Sequence, residues 1–284
     1  MNKNNYYPSQ DPLLKLRQEM VLRNFSQKTI KTYLQYITKV LVFANKNPRN
    51  ITGDDVRKYL EKLANDGKSS STVNIAYNAF KFYFEKILHR RFFVNIPRSK
   101  QSKYLPVVLS KEEIVKMIEV VDNPKHKFVI QLMYSTGLRV SEVVNIKMLN
   151  IDLDRKLLLV KAGKGNKDRY TILANSLVNI LKQQQKVKDS NDYLFTSRNN
   201  KTHWHVMSVQ KVIKQVARKA NIVKNVSAHT LRHSFATHLL EGGNDIRYIQ
   251  KLLGHKRLET TQIYTKVANN SLEKIVNPLD SLNI

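Results

Sequence analysis

The chain has 284 residues, which is long for a single hydrophobic core and comfortable for two domains. Its 49 Lys and Arg residues outnumber 22 Asp and Glu residues and give a formal net charge of +27, far more than solubility requires. This excess predicts a polyanionic partner, with nucleic acid as the first candidate and an acidic membrane surface as the second. No apolar run reaches membrane-spanning length, and the absence of cysteine excludes disulfides and thiolate metal sites.

The first 11 residues are polar and lack the apolar centre of a signal peptide. We predict that residues 1–11 are disordered. Without a signal peptide or cysteines, we expect a cytoplasmic protein, and its charge favours association with the nucleoid.

Residues 12–94 carry apolar side chains at helical spacing and predict an all-helical, DNA-binding domain of four helices. Ser26 and Thr52 are candidate N-caps of the second and third helices, and Ser70 or Ser71 begins the fourth. The aromatic residues are expected in the core and not on a base-stacking surface. The predicted buried face of the second helix comprises Ile30, Tyr33, Ile37, Val40 and Phe43.

Residues 95–108 are basic and polar, with two prolines, and are predicted to form an extended linker. A second domain is expected over residues 109–284. A basic linker between two basic domains indicates a clamp that closes around a duplex.

The second domain begins with Ser110 and Glu113 at capping-box spacing. A strongly apolar helix follows and ends at Gly137, and Arg139 starts the next helix. Strands are predicted at 151–153, 156–160 and 169–172, with residues 162–168 as a hairpin turn. Lys164 lies at the tip of this turn. The surrounding sequence does not fit a nucleotide-binding P-loop, because neither Ser nor Thr follows the lysine.

The stretch from Ser227 to Tyr264 places polar groups within an apolar helical pattern. His229 and Arg232 are three residues apart and share one face of the predicted helix, which Gly242-Gly243 ends. Beside that face lies a predicted buried stripe of Leu231, Phe235, Leu239 and Leu240.

A second short helix is predicted after the two glycines and ends at Gly254, which places His255 in a turn. Thr260-Thr261 then begin a helical stretch that carries Tyr264. Cationic side chains, a histidine and a tyrosine are the groups that phosphoryl transfer uses, because arginine binds phosphate bidentately and tyrosine can act as a covalent nucleophile.

A metal site is not expected. His229 and His233 have the spacing of a zinc pair, but the glutamate that the zinc-protease pattern requires is replaced by Thr230. The run His203-Trp204-His205 could also suggest a metal site. We expect no cofactor.

Six residues now stand in order along the chain: Arg139, Lys164, His229, Arg232, His255 and Tyr264. They occur in the segments TGLRVSEVVNI, GKGNKDR, HTLRHSFATHLLEGG and IQKLLGHKRLETTQIYT. In these segments the chain resembles the tyrosine recombinases, or phage-type integrases, and its size is most similar to the Xer recombinases. The resemblance implies a mainly α fold with a small antiparallel β-sheet. An N-terminal all-helical core-binding (SAM-like) domain would precede an α+β catalytic domain.

The resemblance also implies a role for each residue. Tyr264 would attack the scissile phosphate and form a 3′-phosphotyrosine, and Lys164 would protonate the leaving 5′ oxygen. Arg139, Arg232 and His255 would hold the non-bridging oxygens, and His229 would manage the proton of Tyr264. Neither metal nor ATP would be needed, because the covalent link retains the phosphodiester energy.

The implied partners are double-stranded DNA with specific recombination sites and three further subunits in a homo-tetramer, or a hetero-tetramer with a paralogue. Residues 270–284 would form a tail that is exchanged cyclically between subunits. Chromosome-dimer resolution, integration and excision all fit.

Two alternatives remain open: DNA relaxation of the type IB topoisomerase kind, and a basic DNA-binding protein without catalysis. Strand exchange between two marked duplexes separates the first from recombination. A covalent DNA adduct excludes the second.

Overall fold

The structure, a computed structural model, describes residues 11–90, 96–100, 105–161, 168–197 and 202–268. The chain divides into two compact units, Met1–Lys103 and Tyr104–Ile284, and this division falls within the predicted linker. Lys164, nearly all of its hairpin turn, the tail 270–284 and all but the last residue of the N-terminal segment 1–11 lie outside the described residues.

The first unit is helical, as predicted. Its elements are α1 (Pro12–Leu22), α2 (Gln27–Ala44), a 3₁₀ turn (Pro48–Asn50), α3 (Gly53–Asn65), α4 (Ser70–Lys81) and a π-helical turn (Phe82–Ile87). The predicted caps are confirmed, because the Ser26 hydroxyl accepts the Thr29 backbone N–H in α2 and the Thr52 hydroxyl accepts the Asp55 backbone N–H in α3. Ser69 caps α4 in the same way.

The core of this unit confirms most of the predicted apolar positions. Ile30, Ile37 and Val40 are buried, but Phe43 is 43% exposed, so its assignment to the buried face of α2 was wrong. Phe43 lies in the last turn of α2, at the rim of the core, where its ring and that of Tyr59 are in edge-to-face contact with centroids 5.3 Å apart.

The start of the predicted linker packs on the first unit. Ile96 is buried in its core, and the Asn74 side chain donates to the Ser99 carbonyl at 2.9 Å. The Arg98 guanidinium lies 5.0 Å from the centroid of the Tyr77 ring. Residues 96–99 are therefore packed against the helices of the first unit.

The second unit combines helices with one small sheet. Its helices are α5 (Lys111–Glu119), α6 (Pro124–Thr136), α7 (Val140–Val144), α8 (Asn175–Val187), α9 (Val206–Lys219), α10 (Ala228–Glu241), α11 (Ile246–Leu253) and α12 (Glu259–Gln262), with 3₁₀ turns at Met148–Asn150 and Ile263–Lys266. Its strands are β1 (Ile151–Asp152), β2 (Leu157–Val160) and β3 (Arg169–Ile172).

The sheet is antiparallel in the order β1-β2-β3, with Leu158 paired to Ile151 on one side and to Thr171 on the other. The predicted fold class, mainly α with a small antiparallel sheet, is confirmed.

Helix α6 is the centre of the second core, because its side chains from Phe128 to Met133 are almost all buried. Helix α10 packs across it. Leu231 and Phe235 are buried as predicted, whereas Leu239 and Leu240 are only half-buried. They lie in the last turn of α10, where they border a small separate cluster that contains Tyr264. Within the described part of the chain, no helix combines the length and the apolarity needed to cross a membrane.

Candidate active site

The turn between α6 and α7 brings Arg139 beside α10. Gly137 ends α6 with a left-handed backbone (φ +63), as the sequence predicts. A Cβ at this position would lie 2.3 Å from Cδ1 of Phe235, so only glycine allows the turn to approach α10 this closely. Two residues later, Arg139 is the N-cap of α7.

Glu142 is the anionic centre of the site. Its carboxylate accepts the Arg139 backbone N–H at 2.8 Å and Nη1 of the same residue at 2.8 Å. Arg169 donates bidentately to the same carboxylate, with Nη1 at 2.9 Å and Nη2 at 2.7 Å. Nη1 of Arg232 is 4.0 Å from it. Burial raises the pKa of Glu142, but the bonds from Arg169 and Arg139 outweigh burial and lower the pKa to about 2.

Arg232 joins two turns of the chain. Its side chain is 3% exposed, Nη1 donates to the Gly137 carbonyl at 2.6 Å, and Nη2 donates to the Leu253 carbonyl at 2.6 Å. Burial, with Arg139 close by, lowers the pKa of Arg232 to about 10, so it stays protonated at neutral pH. The guanidinium plane is therefore fixed by backbone acceptors and not by an ion pair at contact distance.

His255 lies directly behind Arg232. It follows Gly254, which ends α11 in the left-handed region (φ +64), as predicted. Nη2 of Arg232 is 3.1 Å from Nε2 of His255, and Nδ1 of His255 is 3.0 Å from the Thr261 hydroxyl. Burial and the neighbouring Arg232 lower the pKa of His255 to about 4, so the ring is neutral. Because arginine only donates, Nε2 accepts and Nδ1 carries the proton.

Tyr264 is in the 3₁₀ turn after α12 and is only 2% exposed. Its hydroxyl is 3.1 Å from Nδ1 of His233, and its ring is stacked on His255 with centroids 6.4 Å apart. Burial raises the pKa of Tyr264, while the positive charges of Arg232 and Arg139 oppose this shift. Burial also lowers the pKa of His233, to about 4, so a protonated phenol donates to a neutral imidazole.

His229 lies one helical turn before His233 on α10. The two rings are 6.2 Å apart and inclined by 30°. Burial, together with Arg232 and Arg139, lowers the pKa of His229. The structure thus brings five of the six predicted residues to one site, but the ring in contact with the Tyr264 hydroxyl is His233 and not His229.

The sequence predicts no function for Arg169 or His233. His233 had one signal, its four-residue spacing from His229, which was weighed only as a metal pair. Arg169 had none, because a charged residue at the start of a short strand is normally exposed. Among the described residues, no group of three His, Asp or Glu side chains has an arrangement that would hold a metal ion.

Comparisons with known proteins identify the family of the chain. Residues 107–271 match the phage integrase family, and residues 13–92 match the N-terminal SAM-like domain of phage integrases. The tyrosine recombinase XerA of Pyrococcus horikoshii is 37% identical over 258 residues, which cover 90% of this chain and 88% of XerA.

Solved recombinase structures share the fold. A XerA recombinase structure is 34% identical with a TM-score of 0.53, covering 93% of this chain and 96% of XerA. XerH bound to a palindromic difH substrate, in a post-cleavage complex, shares the fold with a TM-score of 0.71 at 23% identity, covering 95% of this chain and 89% of XerH. The chain belongs to the phage integrase family and is a tyrosine recombinase, a site-specific DNA recombinase similar to the Xer enzymes.

Proposed function

We propose that this recombinase cuts and rejoins double-stranded DNA through a 3′-phosphotyrosine link on Tyr264. The observation that carries the proposal is the position of Tyr264, whose hydroxyl bonds to His233 and whose ring is stacked on the ring that Arg232 contacts. DNA as the partner is supported by the net charge of +27 and by the DNA substrate of the structurally similar XerH.

Arg139 and Arg232 bind the non-bridging oxygens of the scissile phosphate and stabilise the charge that develops there. Arg139 is the more accessible of the two, at 22% against 3% exposed, and makes the first contact. Nε2 of His255 accepts from Arg232, so His255 must give up this bond and carry a proton on Nε2 before this nitrogen can donate to the phosphate.

The chemical step forms a bond from the Tyr264 oxygen to phosphorus and breaks the bond from phosphorus to the 5′ oxygen. A histidine of α10 takes the phenol proton, and Lys164 gives a proton to the 5′ oxygen. The resemblance assigns the first transfer to His229, and the contact with the Tyr264 hydroxyl supports His233. Rejoining is the reverse reaction, with the 5′ hydroxyl of either strand as the nucleophile.

The nucleophile is tested with a nicked suicide substrate that traps the covalent adduct. Tyr264→Phe removes the bond-forming oxygen, and we expect no adduct while DNA binding stays near wild type, since affinity comes from many phosphate contacts. Tyr248→Phe is the matched control, because Tyr248 is 65% exposed on α11 and should form the adduct normally. An adduct on the Tyr264→Phe protein would place the nucleophile elsewhere.

The role of Lys164 as the acid is tested with a substrate whose leaving group is modified. Lys164→Ala should slow cleavage by about 100-fold or more, and a substrate with sulfur at the 5′ bridging position should restore the rate, because a thiolate leaves without protonation. Failure of the sulfur substrate to restore cleavage would show that Lys164 binds DNA and does not act as the acid.

The two histidines are separated by single substitutions to asparagine. Replacing the histidine that takes the proton should reduce adduct formation by about 100-fold or more, and replacing the other should have a smaller effect. The difference should shrink when Tyr264 is replaced by a fluorinated tyrosine of lower pKa, because the phenol then needs less help from a base.

We also propose that four subunits act on two duplexes, with the tail 270–284 exchanged between them. A head-to-tail contact of this kind closes a ring. Deletion after Val276 should leave a folded protein that binds one DNA site but has lost cooperative pairing of sites and most recombination. Normal recombination by the truncated protein would contradict the role of the tail.

Chromosome-dimer resolution and integration or excision of a mobile element are the two biological roles that remain. Sequencing the DNA trapped on the protein in cells distinguishes them. A single chromosomal site indicates dimer resolution, whereas the ends of an element indicate integration. Exchange between two marked duplexes, as opposed to relaxation of one, separates both roles from topoisomerase activity.

A further inference from the structure

Arg169 occupies an unusual place for a charged residue. It is the first residue of β3, five positions after Lys164, and its side chain is only 9% exposed. Nη1 and Nη2 bind both oxygens of Glu142, and Nε donates to the Leu252 carbonyl at 2.8 Å. All three nitrogens of the guanidinium thus donate hydrogen bonds, in one direction to Glu142 and in a second direction to Leu252.

The second direction leads to the turn that presents His255. Leu252 is in the last turn of α11, where the carbonyl groups carry the negative end of the helix dipole. Arg232 binds the next carbonyl, that of Leu253. A Cβ on Gly254 would lie 2.7 Å from Cδ of Arg169, so the Arg169 side chain packs directly against this turn.

The first direction leads to Arg139. A carboxylate has two oxygens, and Glu142 uses both of them to bind Arg139, through its backbone N–H and through Nη1. Arg169 contacts the same two oxygens, so it fixes the rotation of the carboxylate and through it the direction of the Arg139 side chain.

We propose that Arg169 is a positioning residue for cleavage, which holds Arg139 through Glu142 and the His255 turn through the Leu252 carbonyl. It also holds the start of β3, of which it is the first residue. The proposal rests on the function proposed above, in which Arg139, His255 and Lys164 act on the scissile phosphate. Arg169 itself touches neither DNA nor Tyr264 in this role.

Lysine cannot replace arginine here. Its single ammonium group lacks the planar fork that binds both carboxylate oxygens, and it cannot at the same time reach the Leu252 carbonyl with that geometry. Arg169→Lys therefore keeps the charge and removes the positioning. Arg169→Gln removes the charge as well.

The experiment measures single-turnover cleavage of the suicide substrate at saturating DNA, together with Kd. We expect Arg169→Lys and Arg169→Gln to cleave about 10- to 100-fold more slowly, a loss like that seen when a residue that orients a metal ligand is removed. Kd should stay near wild type because phosphate contacts elsewhere dominate affinity. Arg155→Gln is the matched control, because Arg155 lies 79% exposed in the β1–β2 turn beside Asp152. This variant should cleave at the wild-type rate.

A double-mutant cycle shows whether Arg169 acts through Glu142. Arg169→Gln in the Glu142→Gln background should change the remaining cleavage rate by much less than it does alone, because the orienting contact is already lost. Thermal melting and circular dichroism give the folded fraction, and rates are expressed per folded molecule. If Arg169→Gln fails to fold, Arg169→Lys decides alone.

Two results would overturn the proposal: a wild-type cleavage rate for Arg169→Lys, or an equal effect of Arg169→Gln with and without Glu142. Tyr264→Phe is run in parallel. If Tyr264→Phe still forms the adduct, the proposed function is wrong. If it does not and Arg169→Lys cleaves normally, only the role of Arg169 is wrong.

Discussion

Each unit of this recombinase has a helix that begins with a backbone N–H donating to an acidic side chain three residues later, but the two acidic residues have different further partners. At the start of α3 the Thr52 N–H donates to Asp55 at 2.8 Å, and at the start of α7 the Arg139 N–H donates to Glu142 at 2.8 Å. Asp55 adds Lys46, nine residues away, as an ion-pair partner. Glu142 adds Arg169 from β3, with Arg232 of α10 nearby. The cap at Asp55 involves only residues that are near in the sequence, whereas the cap at Glu142 joins three parts of the fold.

The glycines that end a helix show the same contrast. Gly67, which follows α3, and Gly137, which ends α6, both have a left-handed backbone. A Cβ on Gly67 would meet nothing within 4 Å, whereas one on Gly137 would collide with Phe235. The same signal in the sequence thus marks an exposed turn in one unit and the wall of the active site in the other.

The largest difference between the units is expected at the two carboxylates. Glu142→Gln leaves buried Arg169 and Arg232 without a counter-charge and should reduce the free energy of unfolding by about 3–5 kcal/mol. Asp55→Asn removes a partly exposed capping contact and should reduce it by about 1 kcal/mol. Urea denaturation of both variants measures this. Equal losses would mean that the cluster in the second unit is not specially dependent on its anion.

The next largest effect on stability is expected at Gly137 and Gly67. Gly137→Ala combines a left-handed backbone with overpacking against Phe235, and should destabilise by about 2–5 kcal/mol. Gly67→Ala has only the backbone term, about 1–2 kcal/mol. Thermal unfolding compares the two. A mild Gly137→Ala would show that Phe235 moves aside easily, in which case the turn does not fix the Arg232 contact.

Acid should weaken the second unit through Glu142. Its pKa of about 2 in the folded protein lies below the ordinary value, so the stabilisation is complete above about pH 4.5 and is lost as the pH falls toward 2. The loss is at most about 3 kcal/mol. Urea midpoints at pH 7 and pH 3 measure it, and Glu142→Gln should flatten this part of the profile. An unchanged slope in the variant would assign the acid sensitivity to other carboxylates.

The smallest effect is expected at the surface of the first unit. Lys62 of α3 and Asp66, which directly follows this helix, form an ion pair at 2.9 Å, with both side chains nearly half exposed. Asp66→Asn should change stability by no more than about 0.5 kcal/mol, and high salt should leave that small difference unchanged or smaller. A loss as large as that of Asp55→Asn would contradict the view that surface charges here serve a partner more than the fold.

Much of the fold could be predicted because its determinants are local. The caps at Ser26, Thr52 and Ser110 depend on residues within one turn, and the strand at Lys156–Val160 follows from a short apolar run between two turn signals. The exposed fraction of Phe43 could not be predicted in this way, because helical spacing gives a face but not where the neighbouring helices end.

The sequence by itself determined the helices, the hairpin strands, the family and the identity of the candidate catalytic residues, since these follow from short segments. Only the tertiary structure decided which groups meet. Arg169 and Glu142 are 27 residues apart, His233 and Tyr264 are 31 apart, and Arg232 binds a carbonyl 95 residues away. Such contacts arise when separate elements are packed around one core, and burial then makes each charge dependent on a partner that no local pattern identifies.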